Sequence, residues 1–137
     1  MKIKVWFAAA GLIFAFSAFE IRQTPKFNLK ESIERGKDIY ISNCLTCHME
    51  QGEGTDGYYP PLAKSDYLMA DKKRSIQQVL YGATGEMKVN GYTYTEPMAG
   101  FDLTDQQVSD VLNYVRNSFG NKGNAVTPEE VKAARKK

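Results

Sequence analysis

A stripe of apolar residues recurs at helical spacing near the end of the chain and predicts an amphipathic helix with one buried face. The stripe consists of Val108, Val111, Leu112, Val115 and Phe119. Thr104 precedes it and Gln107 follows three residues later, which is the arrangement of a capping box. We therefore expect this helix to begin after Thr104 and to end near Gly120.

Three further segments carry helix signals of the same kind. The first begins after Asn28, which can cap the helix together with Glu31, and it continues towards residue 44. The second covers residues 71–81, where apolar positions recur three and four residues apart. The third is short and begins after Thr127, with a proline in the first helical position.

The segments between these helices have the composition of loops. Residues 51–61 contain three glycines, two prolines and an aspartate, which are turn-forming residues. Residues 84–100 are irregular, and the Asn90-Gly91 pair within residues 89–95 predicts a small hairpin. The chain shows no internal repeat, and we assign the fold class as all-α.

Residues 1–19 have the pattern of a targeting segment. Lys2 and Lys4 form a short basic region, and residues 5–19 are almost continuously apolar. This apolar run is shorter than the roughly 20 residues that a membrane-spanning helix needs, which favours a signal peptide cleaved near Ser17 over an uncleaved N-terminal anchor. In both cases we expect the rest of the chain to be periplasmic, either soluble or anchored to the inner membrane.

The charge balance indicates no nucleic-acid partner. The chain has 18 Lys and Arg residues against 16 Asp and Glu, and loss of residues 1–17 removes two lysines and leaves 16 of each. A near-neutral domain lacks the basic surface that nucleic-acid binding requires. We divide the chain into the targeting segment 1–19, a linker at 20–28, one domain at 29–120 and a C-terminal extension with a short helix at 121–137.

A basic run occurs at Lys72, Lys73 and Arg74. It would suit a docking patch for an acidic partner. A solvated helix face has the same appearance, and we prefer that interpretation.

The strongest chemical signal is the sequence Cys44-Leu45-Thr46-Cys47-His48, which contains both cysteines and the one histidine of the chain. This pattern is typical of covalent attachment of one haem c, where each thiol bonds a vinyl group and the histidine becomes the proximal iron ligand. A structural zinc site would need further Cys or His ligands, and a thioredoxin-like pair would need a βαβ context. A plain disulfide is the remaining alternative.

With one histidine, the second axial ligand must be of another type, and methionine is the usual alternative. We prefer Met98, because Pro97 stiffens its approach and the two small residues after it let the backbone lie close to a porphyrin. Met87 is the second candidate. Met49 directly follows the proximal histidine and cannot reach the opposite face, and Met69 has apolar neighbours typical of a core residue.

Over residues 29–120 the chain resembles the single-haem cytochrome c family with His/Met ligation. Gly36-Lys-Asp-Ile-Tyr40, which precedes the attachment motif, is similar to the family's N-terminal helix, and Val111-Leu-Asn-Tyr114-Val115 is similar to its C-terminal helix. The resemblance implies a cytochrome c fold in which these terminal helices cross, with Gly36 facing Tyr114 and Val111. Short helices and loops would then wrap around the haem.

The resemblance also assigns roles in the loop that follows the motif. Tyr59-Pro60-Pro61-Leu62 is similar to the family segment in which a proline carbonyl accepts the N–H of the proximal imidazole. By this resemblance Pro60 is the acceptor for His48, and Leu62 lines the haem pocket.

A narrower similarity covers residues 89–94, 97–101, 114–121 and 126–135. These segments are similar to haem c modules of copper nitrite reductases and of membrane-bound alcohol and sugar dehydrogenases. Those modules have Met-Pro-Pro or Met-Pro-Ala where this chain has Met98-Ala-Gly. The similarity implies redox protein partners such as an oxidase, a nitrite reductase or a dehydrogenase. It also offers Tyr92 and Tyr94 as hydrogen-bond partners of a haem propionate, with plain packing as the alternative.

These features favour a single-electron carrier, because iron with two protein ligands changes valence with little rearrangement. The alternative is a haem enzyme or gas-binding module, which would need an open or easily displaced distal position. A third hypothesis is an interaction subunit whose haem is mainly structural.

Overall fold

A computed structural model describes residues 26–135. The predicted targeting segment and residues 20–25 of the predicted linker lie outside these residues. In chain order the elements are α1 (Leu29–Asn43), α2 (Leu45–His48), α3 (Asp66–Ala70), α4 (Lys72–Tyr81), β1 (Met87–Val89), β2 (Tyr92–Tyr94), α5 (Asp105–Asn117) and α6 (Pro128–Ala134). The described part of the chain is mostly helical, which confirms the predicted class.

Helix α1 begins where its cap predicts. The side chain of Asn28 accepts hydrogen bonds from the backbone N–H groups of Lys30 and Glu31. The expected reciprocal bond has a different form, because Glu31 accepts from the Asn28 side-chain amide at 2.9 Å rather than from its backbone.

Helices α5 and α6 both carry complete capping boxes, formed by Thr104 with Gln107 and by Thr127 with Glu130. Helix α5 ends at Asn117, three residues before the predicted glycine. The chain turns away there because Phe119 and Gly120 both adopt positive φ angles, of 56° and 81°.

The predicted hairpin is present as the antiparallel pair β1 and β2, in which Val89 lies opposite Tyr92. Asn90 and Gly91 have φ angles of 50° and 89°, as a two-residue turn of this hand requires. Helix α3 has no counterpart among the predictions, because its five residues are too few to show a period.

The terminal helices α1 and α5 cross at Gly36. A Cβ atom at this position would overlap the carbonyl oxygen of Asp110 and would lie 2.8 Å from the Cβ of Tyr114. The predicted contact with Tyr114 is present, whereas the nearest backbone belongs to Asp110 rather than to Val111. The two helices approach so closely only because residue 36 has no side chain.

Polar groups reinforce this crossing. The Asp110 carboxylate is almost fully buried and accepts hydrogen bonds from Ser32 at 2.6 Å and from the Arg35 guanidinium at 2.8 and 2.9 Å. Gln106 donates to the same carboxylate at 2.8 Å. A buried carboxylate needs such partners, because an unpaired charge in the interior is strongly destabilising.

The segment predicted as a C-terminal extension packs into the same hydrophobic core as the rest of the domain. Val126, Val131 and Ala134 belong to the core cluster that also contains the buried faces of α4 and α5. Asn113 of α5 holds this segment, since it donates to the Val126 carbonyl at 2.8 Å and accepts from the Val126 N–H at 2.7 Å.

The basic run on α4 is largely occupied by contacts within the protein. Lys72 pairs with Glu130 of α6, and Arg74 stacks on the ring of Tyr67. Lys73 alone among the three is exposed, so the structure does not offer the run as a continuous docking patch.

Among residues 26–135, no helix has both the length and the apolar character needed to cross a membrane.

Candidate functional site

A cavity of about 360 Å³ opens between the attachment motif, α4, the segment before α5 and α5 itself. This volume falls in the range of roughly 300–1,000 Å³ typical of cofactor sites. Its lining is mainly apolar and includes Val79, Phe101, Val111, Leu112 and Val115. Such a lining suits a large flat cofactor with an apolar body.

Both cysteines and the histidine of the motif lie on one side of this cavity. Cys44 occupies the junction between α1 and α2, and His48 ends α2, so the motif forms one continuous helical stretch. Burial, followed by the charge of Cys47, raises the pKa of Cys44 to about 11. Neither cysteine is engaged in a disulfide, so both sulfurs are available for thioether bonds.

The loop after the motif returns to His48 and orients its ring. The Nδ1 atom of His48 lies 3.0 Å from the carbonyl oxygen of Pro60, which is the contact that the family resemblance implies. Burial lowers the pKa of His48, and the Pro60 contact opposes this effect. Because Nδ1 faces the Pro60 carbonyl, Nε2 is the nitrogen left for a metal.

Glycine makes this return of the chain possible. Gly54 has a φ angle of 67°, and its N–H donates to the His48 carbonyl at 3.1 Å. A Cβ there would overlap the Tyr59 carbonyl oxygen and would lie 2.9 Å from that of Pro60. A larger residue would push the Pro60 carbonyl away from the imidazole.

Leu62, the other residue assigned by resemblance in this loop, also lines the cavity. Its N–H donates to the Gly52 carbonyl at 2.7 Å, and its carbonyl accepts from the Asn121 side chain at 2.8 Å.

Met98 lines the cavity together with its neighbours Pro97 and Ala99. Its backbone N–H and carbonyl form two 2.9 Å hydrogen bonds with Ala83, just after α4. A third bond of 2.9 Å joins the Phe101 N–H to the Val79 carbonyl. Three backbone bonds therefore fix the segment of residues 97–101 to the end of α4.

Close contact tightens this attachment. Gly82 has a φ angle of 81°, and a Cβ there would overlap the Met98 carbonyl oxygen. A Cβ at Gly100 would lie 2.6 Å from the Leu80 carbonyl oxygen. The small residues noted in the sequence thus bring this segment against α4 as well as against the cavity.

The remaining methionines are placed differently. Met87 on β1 lines the cavity, so it stays a competing ligand by position. Met69 packs against the hydrophobic core, and Met49 is exposed. Neither of these two is among the residues that line the cavity.

The two tyrosines offered as propionate partners are not among the lining residues of the cavity. Tyr92 is 72% exposed, whereas Tyr94 is buried. The structure instead brings Tyr67 and Gln78 to the cavity wall. Sequence reasoning missed both, because Tyr67 lies on the unpredicted α3 and glutamine on an amphipathic helix carries no signal of its own.

The zinc alternative has no support in the described residues. No group of three or more His, Cys, Asp or Glu side chains within residues 26–135 is arranged to hold a metal ion. The thioredoxin-like alternative also lacks its context, since the two strands of the described sheet form an antiparallel hairpin rather than a βαβ unit.

Comparison with known proteins agrees with this geometry. The family described as Cytochrome c matches residues 33–119. The chain belongs to the cytochrome c family. The match begins in α1 and ends just after α5, so it covers the helix crossing, the attachment motif and the Met98 segment.

Individual relatives fall into two groups. Cytochrome c-552 of Thermus thermophilus is 36% identical over 112 residues, which cover 74% of this chain and 85% of that protein. The cytochrome c subunit of the quinone-dependent alcohol dehydrogenase of Gluconobacter oxydans is 33% identical over 88 residues, covering 63% of this chain and 18% of that subunit. The gluconate 2-dehydrogenase cytochrome c subunit of Pantoea cypripedii is 34% identical over 107 residues, covering 75% and 24%. The chain thus spans about a quarter or less of these two dehydrogenase subunits.

Membership of this family establishes the general chemistry of the site. The cavity holds one haem c, attached covalently through Cys44 and Cys47, and the chain is an electron carrier rather than an enzyme. The residues present fit that cofactor, since two thiols and an oriented imidazole lie side by side on the wall of an apolar cavity.

Proposed function

We propose that this cytochrome passes single electrons between respiratory redox proteins outside the cytoplasm, with His48 and Met98 as the two axial ligands of its iron. The observation that carries the proposal is that both side chains line one cavity, each on a segment held rigidly by the fold. The haem supplies a one-electron change of iron valence, and the protein supplies the ligands and the dry surroundings.

Rigid ligand segments serve this function directly. Pro60 fixes the orientation of the His48 ring, and Ala83 fixes the backbone of Met98 through two hydrogen bonds. Both ligands then keep their positions when the charge of the metal changes, so little reorganisation accompanies electron transfer. An enzyme-like or gas-binding site would instead need the Met98 position to open.

Met98 is the better candidate because its backbone is held at both its N–H and its carbonyl. Met87 lies at the start of a three-residue strand, opposite Tyr94. A thioether ligand and an apolar lining both favour the ferrous state, so the reduction potential should be raised.

The partners are proposed from the relatives. Cytochrome subunits named for alcohol and gluconate dehydrogenases support a dehydrogenase as electron donor. The acceptor would be an oxidase or a nitrite reductase. A pull-down of the native protein from membranes would identify both, and the mass of its mature N-terminus would show whether residues 1–17 are removed.

The ligand assignment is tested by substitution. Met98→Ala should abolish the sulfur-to-iron charge-transfer band and admit small exogenous ligands, and Met98→Lys should replace the thioether with a hard amine. We expect either variant to lower the reduction potential by about 0.1 V, within the ligand-dependent span of roughly 0.8 V.

Met87→Ala is the matched control, because it removes the other methionine that lines the cavity. It should leave both the band and the potential nearly unchanged. If Met87→Ala loses the band, Met87 is the ligand. If the wild-type protein already binds carbon monoxide rapidly, the distal position is open and the proposed ligand pair is wrong.

A further inference from the structure

One polar part of the cavity wall also faces an outer groove. Tyr67 and Gln78 line the main cavity and also line an outer groove of about 290 Å³. Arg74 lines the outer groove only. We call Tyr67, Arg74 and Gln78 the polar strip.

The three side chains of the polar strip hold one another in place. The guanidinium carbon of Arg74 lies 3.6 Å from the centre of the Tyr67 ring, and Arg74 also donates to the Tyr67 backbone carbonyl. The Gln78 side-chain amide donates to the Tyr67 hydroxyl at 3.1 Å. A positive charge is therefore fixed directly behind a ring that faces the cofactor cavity.

Donors in the polar strip remain without acceptors among the described residues. The Nε atom of Arg74 is buried and has no hydrogen-bond partner. The Tyr67 hydroxyl accepts from Gln78, which leaves its own proton to donate, and the Gln78 amide has a second N–H. Tyr67 and Gln78 line the cavity, so an acceptor placed there could bind their remaining donors, whereas Arg74 on the outer groove supplies charge rather than a bond to it.

The other polar side chains on the cavity wall include further donors but no cation, and they belong to Asn43, Tyr59, Ser65, Ser75 and Glu96. Ser75 donates to the backbone carbonyls of Leu68 and Asp71, and the Asn43 amide donates to that of Ile39. Glu96 lines the cavity as a carboxylate and would repel another acid. The polar strip combines free donors with a cation.

We propose that the polar strip binds a carboxylate group of the haem, with Tyr67 and Gln78 donating hydrogen bonds and Arg74 acting behind them as a positioning residue. Haem carries two carboxylates on an otherwise apolar ring, and this wall is both polar and open to the outer groove. The charge of Arg74 disfavours the additional positive charge of the ferric state and raises the reduction potential. Since haem has two carboxylates, this assignment stands beside the role that the resemblance offered to Tyr92 and Tyr94, which stays a prediction.

The test compares the reduction potential of Arg74→Gln with that of Lys73→Gln in the haem-loaded protein. Lys73 is the next residue on the same helix and is exposed, so its substitution removes the same charge from the surface. We expect Arg74→Gln to shift the redox equilibrium about fivefold towards the ferric form. This is about 40 mV, since a tenfold change is 59 mV for one electron.

High salt distinguishes the redox shifts of the two variants further. At 1 M ionic strength the screening length is about 3 Å, so any small effect of Lys73→Gln should vanish while that of Arg74→Gln persists. Equal shifts for the two variants, or a shift at Arg74 that salt abolishes, would overturn the proposal.

Two more variants keep the test independent of local structural damage. Arg74→Lys retains the charge without the planar contact, and its redox equilibrium should stay within about twofold of the wild type. Tyr67→Phe retains the ring under Arg74 but removes the hydroxyl, and it should move the equilibrium in the same direction as Arg74→Gln by a smaller factor. An unchanged Tyr67→Phe variant would contradict the proposed hydrogen bond to the haem carboxylate.

Discussion

The two walls of the haem cavity that carry the proposed ligands are built in different ways. The proximal wall, formed by Cys44, Cys47 and His48, is one helical stretch at the end of α1, and the haem bonds to it covalently. The distal wall, residues 97–101, is irregular and is held by three backbone hydrogen bonds, one to Val79 of α4 and two to Ala83 just beyond it.

The two walls therefore depend on different parts of the fold. The proximal wall depends on covalent attachment and on the α1–α5 crossing, which also holds the fold together. The distal wall depends on the end of α4. Its position is set there by the two backbone hydrogen bonds between Ala83 and Met98 and by the close contacts of Gly82 and Gly100. Damage to the first should affect the whole molecule, and damage to the second should affect mainly the ligand exchange at the iron.

The largest effect should come from removing the attachment points. We expect Cys44→Ala with Cys47→Ala to abolish covalent haem completely, because no other thiol exists in the chain. Mass spectrometry under denaturing conditions measures this directly. Thr46→Ala, an exposed position within the same motif, is the control and should retain the haem mass. Haem that stays bound to the double variant through acid–acetone extraction would contradict the assignment.

The next largest effect should come from the helix crossing. Gly36→Val places a branched side chain against the backbone of Asp110, and we expect a loss of unfolding free energy at the upper end of about 1–3 kcal/mol. Denaturant titration gives the value. Lys37→Val introduces the same side chain at the neighbouring exposed position, so it shows the effect of a valine in α1 away from the crossing. Equal midpoints for the two variants would mean that the helices do not meet at Gly36.

A smaller effect on stability should follow from loosening the distal wall. Gly100→Ala places a methyl group 2.6 Å from the Leu80 carbonyl oxygen, so the Met98 segment must move away from α4. We expect about 1 kcal/mol of destabilisation, at the lower end of the overpacking range, with about tenfold tighter binding of added imidazole. Gly36→Ala provides the contrast, since it should lower stability more and change imidazole affinity less. The reverse pattern would show that the two walls are not independent.

The smallest effect should come from the ion pair between Lys72 of α4 and Glu130 of α6. Both side chains are partly exposed, so Lys72→Met should cost about 0.2–1 kcal/mol of unfolding free energy and leave the redox potential unchanged. Burial tends to raise the pKa of Glu130, but Lys72 and the Thr127 N–H outweigh it and lower this pKa. Lys72 also donates to the Ala125 carbonyl at 3.0 Å, so the difference between wild type and variant should be largest at neutral pH and shrink as acidification protonates Glu130. A difference that does not change with pH would exclude the ion pair as its source.

Features that rest on local sequence were predicted well. The capping box of α5, the start of α6 and the Asn90-Gly91 turn are each decided within a few residues, and the structure has them where expected. The attachment motif is also local, which is why Cys44 and Cys47 were recognisable at once.

Features that rest on distant contacts were not predictable in the same way. Ser32 and Arg35, which donate to Asp110, lie in α1, and no pattern near Asp110 in the sequence indicates them. The sequence presents Lys72 and Arg74 as part of an exposed basic run. Glu130, the partner of Lys72, is distant in sequence, and Tyr67, which stacks with Arg74, lies on the unpredicted α3. The Ala83 bridge to Met98 was missed for the same reason, since backbone pairing across an irregular loop leaves no residue pattern.

The bonds between Arg35 and Asp110 join positions 75 residues apart, which has a consequence for the order of events during synthesis. Closing a loop of that length costs roughly 4 kcal/mol in chain entropy, and the contacts that offset it need α5. A chain that grows from its N-terminus presents Cys44 and Cys47 long before α5 exists, so α1 has no partner at that stage. We therefore expect the two thiols to be accessible to the haem-attachment machinery until the last quarter of the chain arrives and folding buries them.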